Sequence, residues 1–139
     1  MELLDALIRT GLTKSESELY VALNREGELT GYEAAKITGI PRANAYQSLA
    51  SLVEKGGAYI VEGKAQKYMA VPPEEYCRNI LSQLTEVTAE ILRQCPGQRK
   101  PSEPYITING FRHIVLKMKN IIQDAKERVY ISISEADLP

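Results

Sequence analysis

The stretch Thr30-Gly31-Tyr32-Glu33-Ala34-Ala35-Lys36-Ile37-Thr38-Gly39-Ile40-Pro41-Arg42-Ala43-Asn44-Ala45-Tyr46-Gln47-Ser48-Leu49-Ala50-Ser51-Leu52-Val53-Glu54-Lys55-Gly56 decides the fold. Thr30 with Glu33 three residues on is a capping-box signature. The hydroxyl accepts from a backbone N–H at the start of a helix, and the carboxylate reaches back to the cap. The helix it opens runs through Ala34, Ala35 and Ile37 and is closed by Gly39. Pro41 stands where the next helix begins, a position at which its missing N–H costs nothing. That helix runs to Lys55, with Ala45, Leu49 and Leu52 as its buried face and Tyr46 and Val53 beside them. It ends at Gly56, where a left-handed C-cap suits glycine. Two helices joined by Thr38-Gly39-Ile40-Pro41 form a helix-turn-helix.

Upstream, Leu3, Leu4, Leu7 and Ile8 have the spacing of a short helix over residues 2–9, ended by Gly11. Thr13-Lys14-Ser15-Glu16 is a second capping box. Its helix carries Leu19, Tyr20, Ala22 and Leu23 on one side and stops near Gly27. Downstream the period changes. Residues 58–62 are a strand candidate, Gly63-Lys64-Ala65 a turn, and residues 66–70 a returning strand. Short helices followed by a hairpin with a basic tip is the order of a winged helix.

Pro72-Pro73-Glu74-Glu75 then starts a long helix, with prolines and acids at its positive end. Cys77, Ile80, Leu84, Val87, Ile91 and Cys95 follow at steps of 3, 4, 3, 4 and 4, nearly a heptad seam widened by Leu81 and Leu92. At 1.5 Å per residue the helix is ~33 Å long. A small winged-helix core cannot cover so long an apolar stripe, so dimerisation is expected ahead of packing on the chain's own domain. Residues 96–104 are a linker by composition. Residues 105–108 read as a strand, Asn109-Gly110 as a turn, and residues 111–127 as an amphipathic helix with Ile114, Val115, Met118, Ile121, Ile122 and Ala125 inward. Residues 128–134 read as a second strand. The expected class is therefore α+β: a winged helix-turn-helix DNA-binding domain (1–72), a dimerisation helix (73–95), a linker (96–104) and a partial effector-type strand–helix–strand unit (105–139). One such unit cannot bury both faces of its strands, so it is expected to be shortened, to be a piece of a larger domain or to be covered by another chain.

Three groups of residues carry a family resemblance. They are Gly11-Leu12-Thr13…Glu18…Tyr20…Leu23; Gly39-Ile40-Pro41-Arg42…Tyr46…Leu49…Leu52…Glu54-Lys55-Gly56; and Glu62-Gly63-Lys64…Tyr68…Ala70-Val71-Pro72-Pro73-Glu74. Over residues 1–95 the chain closely resembles the TrmB-like transcriptional regulators, archaeal and bacterial winged-helix proteins of which many control sugar transport and metabolism genes. The resemblance implies a dimer helix after the wing. It also implies that residues 105–139 open the phospholipase D-like effector domain of such proteins. Two departures from the family pattern stand out: Gly57 replaces a large apolar residue, and Ala65-Gln66-Lys67-Tyr68-Met69 is less basic than the usual returning strand.

For a DNA reader the face opposite Ala45, Leu49 and Leu52 matters, and at ~100° per residue it holds Ala43, Asn44, Gln47 and Ser51. Asn and Gln pair bidentately with adenine; Arg42, at the helix N-terminus, can reach guanine or phosphate. Thr30 and Tyr32 start the preceding helix, where backbone donors suit a phosphate, and Lys64 and Lys67 sit on the wing. The competing reading is that these polar groups simply solvate the surface, in a winged-helix module that binds other proteins without specific DNA binding. Net charge is −1, but residues 1–35 carry three basic and seven acidic side chains, whereas residues 36–72 carry five basic and two acidic. A polyanion responds to the local field.

Other classes find no support. The sole histidine is His113, and a phospholipase D-type site needs a lysine two residues on, where Val115 stands. Two scattered cysteines and one histidine do not make a standard zinc site, and there is no phosphate-cradling glycine loop. Neither a catalytic site, a metal nor a cofactor is expected. No apolar stretch approaches the ~18 residues of a membrane span, and Glu2 and Asp5 lie where a signal peptide is basic, so a cytoplasmic protein is expected. The expected function is sequence-specific transcriptional regulation by a homodimer on an inverted-repeat operator. The expected partners are double-stranded DNA and a second copy of the chain, with a sugar effector only where a complete effector domain exists.

Overall fold

The computed structural model describes residues 1–95, 97 and 107–130. It divides into two units, Met1–Pro96 and Gly97–Pro139.

In the first unit, α1 (Leu3–Arg9), α2 (Lys14–Glu26), β1 (Leu29–Thr30), α3 (Gly31–Thr38), α4 (Arg42–Glu54), β2 (Ala58–Val61), β3 (Lys67–Ala70) and α5 (Pro73–Gln94) follow in order. Both capping boxes form. Thr13 Oγ1 accepts from the Glu16 N–H at 3.2 Å while Glu16 Oε2 accepts from the Thr13 N–H at 2.7 Å. Thr30 and Glu33 repeat the exchange at 3.2 and 3.0 Å. Pro41 is the cap of α4, one residue earlier than its expected place inside the helix. At the far end Gly56, at φ +77°, donates to the Val53 carbonyl and Gly57 to the Leu52 carbonyl, the paired bonds of a Schellman motif. At Gly57 the Leu52 side chain fills the space a Cβ would need.

The sheet is antiparallel, in the order β1-β3-β2. The hairpin registers Ala58 with Ala70 and Val61 with Lys67, and β1 adds Leu29 opposite Tyr68 and Thr30 opposite Lys67. Strand β1 has no signature in the sequence pattern. Leu19, Leu23, Leu49, Leu52 and Val71 are the largest fully buried apolar side chains, set where α2, α4 and the sheet meet. Ile37, in α3, is exposed.

Helix α5 starts inside this core. Tyr76 is 2% exposed, lies 5.2 Å from the Tyr20 ring and shares a 2.7 Å hydrogen bond with Thr10. The Tyr20 hydroxyl donates to the Val71 carbonyl at 2.9 Å, and its pKa is pushed up to about 12 by burial first and then by neighbouring Cys77 and Tyr76. Packing is thus continuous across residue 72, the expected boundary between DNA-binding domain and dimer helix.

In the second unit the described regular element is α6 (Phe111–Asp124), three residues shorter than expected. Thr107, Ile108 and residues 128–130 form no strand, which corrects the strand expectation there; the remainder of both expected strands lies outside the described residues. Ile114, Val115 and Met118 are half-buried, whereas Ile121, Ile122 and Ala125, expected inward, are exposed.

Candidate nucleic-acid interface

Helix α4 is anchored by Ala45, Leu49 and Leu52, each 0% exposed. That anchorage turns Arg42, Ala43, Asn44 and Gln47 to solvent in its first two turns. The amide groups of Asn44 and Gln47 carry both donors and acceptors, the requirement for reading a base edge.

Arg42 is held from two sides. Its guanidinium carbon lies 5.5 Å from the centre of the Tyr32 ring and 5.8 Å from that of Tyr46. Tyr32 comes from the first turn of α3, so this cluster bridges the two helices of the helix-turn-helix. Tyr46, expected as a core-edge residue, is instead half open to solvent.

Ser51 corrects the expected face. Its hydroxyl donates to Glu16 Oε1 at 2.6 Å and is half-buried against α2. Lys55 is also turned inward, donating to Glu16 Oε2 at 2.8 Å and to the Gly11 carbonyl at 3.0 Å. The basic stretch 36–72 therefore presents Lys36, Arg42, Lys64 and Lys67 while Lys55 is neutralised by a buried carboxylate. Burial pushes the Glu16 carboxyl up, but hydrogen bonds from Lys55, Ser51 and the Thr13 N–H, with the Lys55 charge, outweigh it and hold the group below its ordinary range. The sequence pattern does not reveal this arrangement, since Glu16 and Ser51 are 35 residues apart.

Thr30 is committed locally, its N–H to Glu33 and its Oγ1 to the Glu33 N–H. Its hydroxyl proton can still be offered to a phosphate, but the Glu33 carboxylate occupies the helix start. Lys64 is exposed at the hairpin tip; Lys67, in β3 between Thr30 and Val61, is half-buried.

Along α5, cover fails with distance from the core. Ile80 packs against the core as a half-buried residue. Leu84, Val87 and Ile91 are 53%, 48% and 53% exposed, and Cys77 and Cys95 are free thiols at the surface. Cys95 caps the helix at its C-terminus, one residue beyond its last turn.

A helix-turn-helix whose second helix shows its polar first turns to solvent, backed by a three-stranded sheet with a basic hairpin tip, defines a winged-helix regulator fold. The family model described as the sugar-specific transcriptional regulator TrmB matches residues 7–74. The winged helix of this chain, over residues 7–74, is that of the TrmB-like family of transcriptional regulators. It is 32% identical over 97% of its length to the uncharacterized protein YrhO of Bacillus subtilis, covering 50% of that protein. It is 31% identical over 94% of its length to TrmBL1, an HTH-type sugar sensing transcriptional regulator of Pyrococcus furiosus, covering 40% of it. The solved structure of TrmBL2, an archaeal chromatin protein with a novel mode of DNA binding, shares the fold at a TM-score of 0.59 and 24% identity, over 89% of this chain and 54% of that one. The chain spans about half the length, or less, of these curated relatives. TrmBL1 and the proteins of the family model are both transcriptional regulators by name. Among the described residues no helix is long and apolar enough to cross a membrane.

Proposed function

We propose that the chain is a sequence-specific DNA-binding transcriptional regulator that acts as a homodimer on an inverted repeat. The observation that carries this reading is the outward face of α4, where Arg42, Asn44 and Gln47 stand on a helix fixed by three fully buried residues. Arg42, Ala43, Asn44 and Gln47 meet the major groove; Thr30 and Tyr32 lie at the phosphate edge, and Lys64 and Lys67 reach the backbone from the wing. Ser51 is not part of this surface, because its hydroxyl is spent on Glu16. The stripe Cys77, Ile80, Leu84, Val87, Ile91 and Cys95 forms the dimer seam, supported by the exposure of its central leucine, valine and isoleucine. A sugar effector belongs to this proposal only where a complete effector domain is present.

The test is fluorescence anisotropy of labelled duplexes across a salt series. Every phosphate that the protein neutralises steepens the fall of log affinity with log salt by about 0.9, so a steep negative slope is expected. A flat profile with no measurable duplex affinity would overturn the reading and favour a winged helix that binds proteins.

A further inference from the structure

Arg42 is the first residue of α4, and nothing in the covalent structure of an exposed arginine fixes its guanidinium. A free arginine side chain loses rotamer entropy when a ligand immobilises it. Here the guanidinium is flanked by two aromatic rings at 5.5 and 5.8 Å. These are cation–π distances. A planar cation against aromatic faces is restrained while its N–H fork remains available, and that fork matches a pair of acceptors.

The seat for this arrangement lies in α3. A Cβ built on Gly31 would fall 2.6 Å from Tyr46 Cζ and 2.9 Å from Cδ1, within the ring's van der Waals envelope. The φ of Gly31 is not in the left-handed region, so its backbone conformation does not demand glycine. What demands it is the ring lying directly on the α3 backbone. Gly31 lets Tyr46 close onto α3, and Tyr46 together with Tyr32 then flanks Arg42.

We infer that Tyr46 and Tyr32 are positioning residues that pre-organise Arg42 for a bidentate contact with duplex DNA, and that Gly31 is required because it seats the Tyr46 ring. The inference rests on the DNA-binding reading above. It moves Tyr46 from a packing role to the binding surface, and Tyr32 from a phosphate contact to a platform. The acceptor pair is the O6/N7 edge of a guanine or two phosphate oxygens, which share the same bidentate chemistry.

The test has a DNA-free arm and a DNA arm. By NMR, the Arg42 δ-methylene protons of the wild type are expected upfield of ordinary arginine values through the ring currents. The shift should be largely abolished in Tyr46→Leu and Gly31→Ala and kept in Tyr46→Phe. On a duplex obtained by selection, Tyr46→Leu should weaken affinity by about tenfold, within the range of a desolvated cation–π contact. Tyr46→Phe should stay within about twofold, and Tyr46→Leu added to Arg42→Ala should cost less than about twofold more, since coupled residues are not additive. Gly31→Ala, which favours helix, should keep the thermal midpoint and still lose affinity. If Arg42→Ala relaxes preference at one base pair, the acceptor is guanine; if it weakens all sequences alike, the acceptor is phosphate. Ordinary Arg42 shifts in the wild type, or fully additive effects of Tyr46→Leu and Arg42→Ala, would overturn the inference while DNA binding stands. No salt-dependent duplex binding by the wild type would defeat the function reading itself.

Discussion

The two ends of α5 differ in how the rest of the fold covers them. At its start Tyr76 is 2% exposed, stacked near Tyr20 and hydrogen-bonded to Thr10; near its end Leu92 is 79% exposed. Both ends belong to one helix with one apolar periodicity, so the difference lies in what covers it. The first turn is sealed by α1 and α2, and the later turns outrun them. Periodicity predicts that a face will be apolar; only the rest of the fold determines whether the chain covers that face itself.

The largest expected effect comes from charging the open half. Leu84→Glu or Val87→Glu should give a monomer by sedimentation with an unchanged thermal midpoint at low concentration, because neither residue is buried in the unit. Specific operator affinity should drop by ~10²–10⁴, the avidity that disappears when two half-sites no longer bind together. An intact dimer would place the interface elsewhere. A smaller effect is expected on the sealed side. Removing Lys55 by Lys55→Met leaves Glu16 buried with fewer donors, which should cost about 1–3 kcal/mol at pH 7. The Glu16 carboxyl is held below its ordinary value of 4.5, so its contribution is present above that pH and is lost as pH falls through the folded value. The gap in stability between wild type and Lys55→Met should therefore be widest near neutrality and narrow below about pH 4.5. Thermal unfolding at several pH values checks this; a gap independent of pH would contradict it. The smallest effect belongs to the wing. Lys64→Ala should weaken all duplexes alike and flatten the salt slope by about one unit. A change in base preference instead would make Lys64 a reader.

Much of the sealed half is legible in the sequence because its signals are local. Thr13 with Glu16, Thr30 with Glu33, and the glycines at 39 and 56 mark helix ends by side chains within a few residues of them. What escapes depends on distant partners. Strand β1 is two residues long, too short for any alternation to show, and exists through its pairing with β3. Ser51 lies on a flank of α4 that a lone helix leaves open, and it is claimed by a carboxylate from α2. Tyr76 is masked in the pattern because the heptad seam starts beside it at Cys77. The Tyr32–Arg42–Tyr46 cluster joins two helices, and neither helix pattern alone contains it. In the second unit a single amphipathic helix is readable, while strands need neighbours to pair with, and the expected residues that are described, Thr107, Ile108 and 128–130, form none.

The central claim is that the solvent-facing turns of α4 read DNA sequence. Binding-site selection from a random duplex pool, run in parallel on the wild type and Gln47→Ala, tests it most directly. The wild type should enrich an inverted repeat whose half-site centres lie one helical turn apart, roughly 34 Å, or a multiple of it. Gln47→Ala should lose preference at one position in each half-site, at a cost on the order of 1–3 kcal/mol. Enrichment of the same motif with the same stringency by both proteins would contradict the account, as would no enrichment by the wild type.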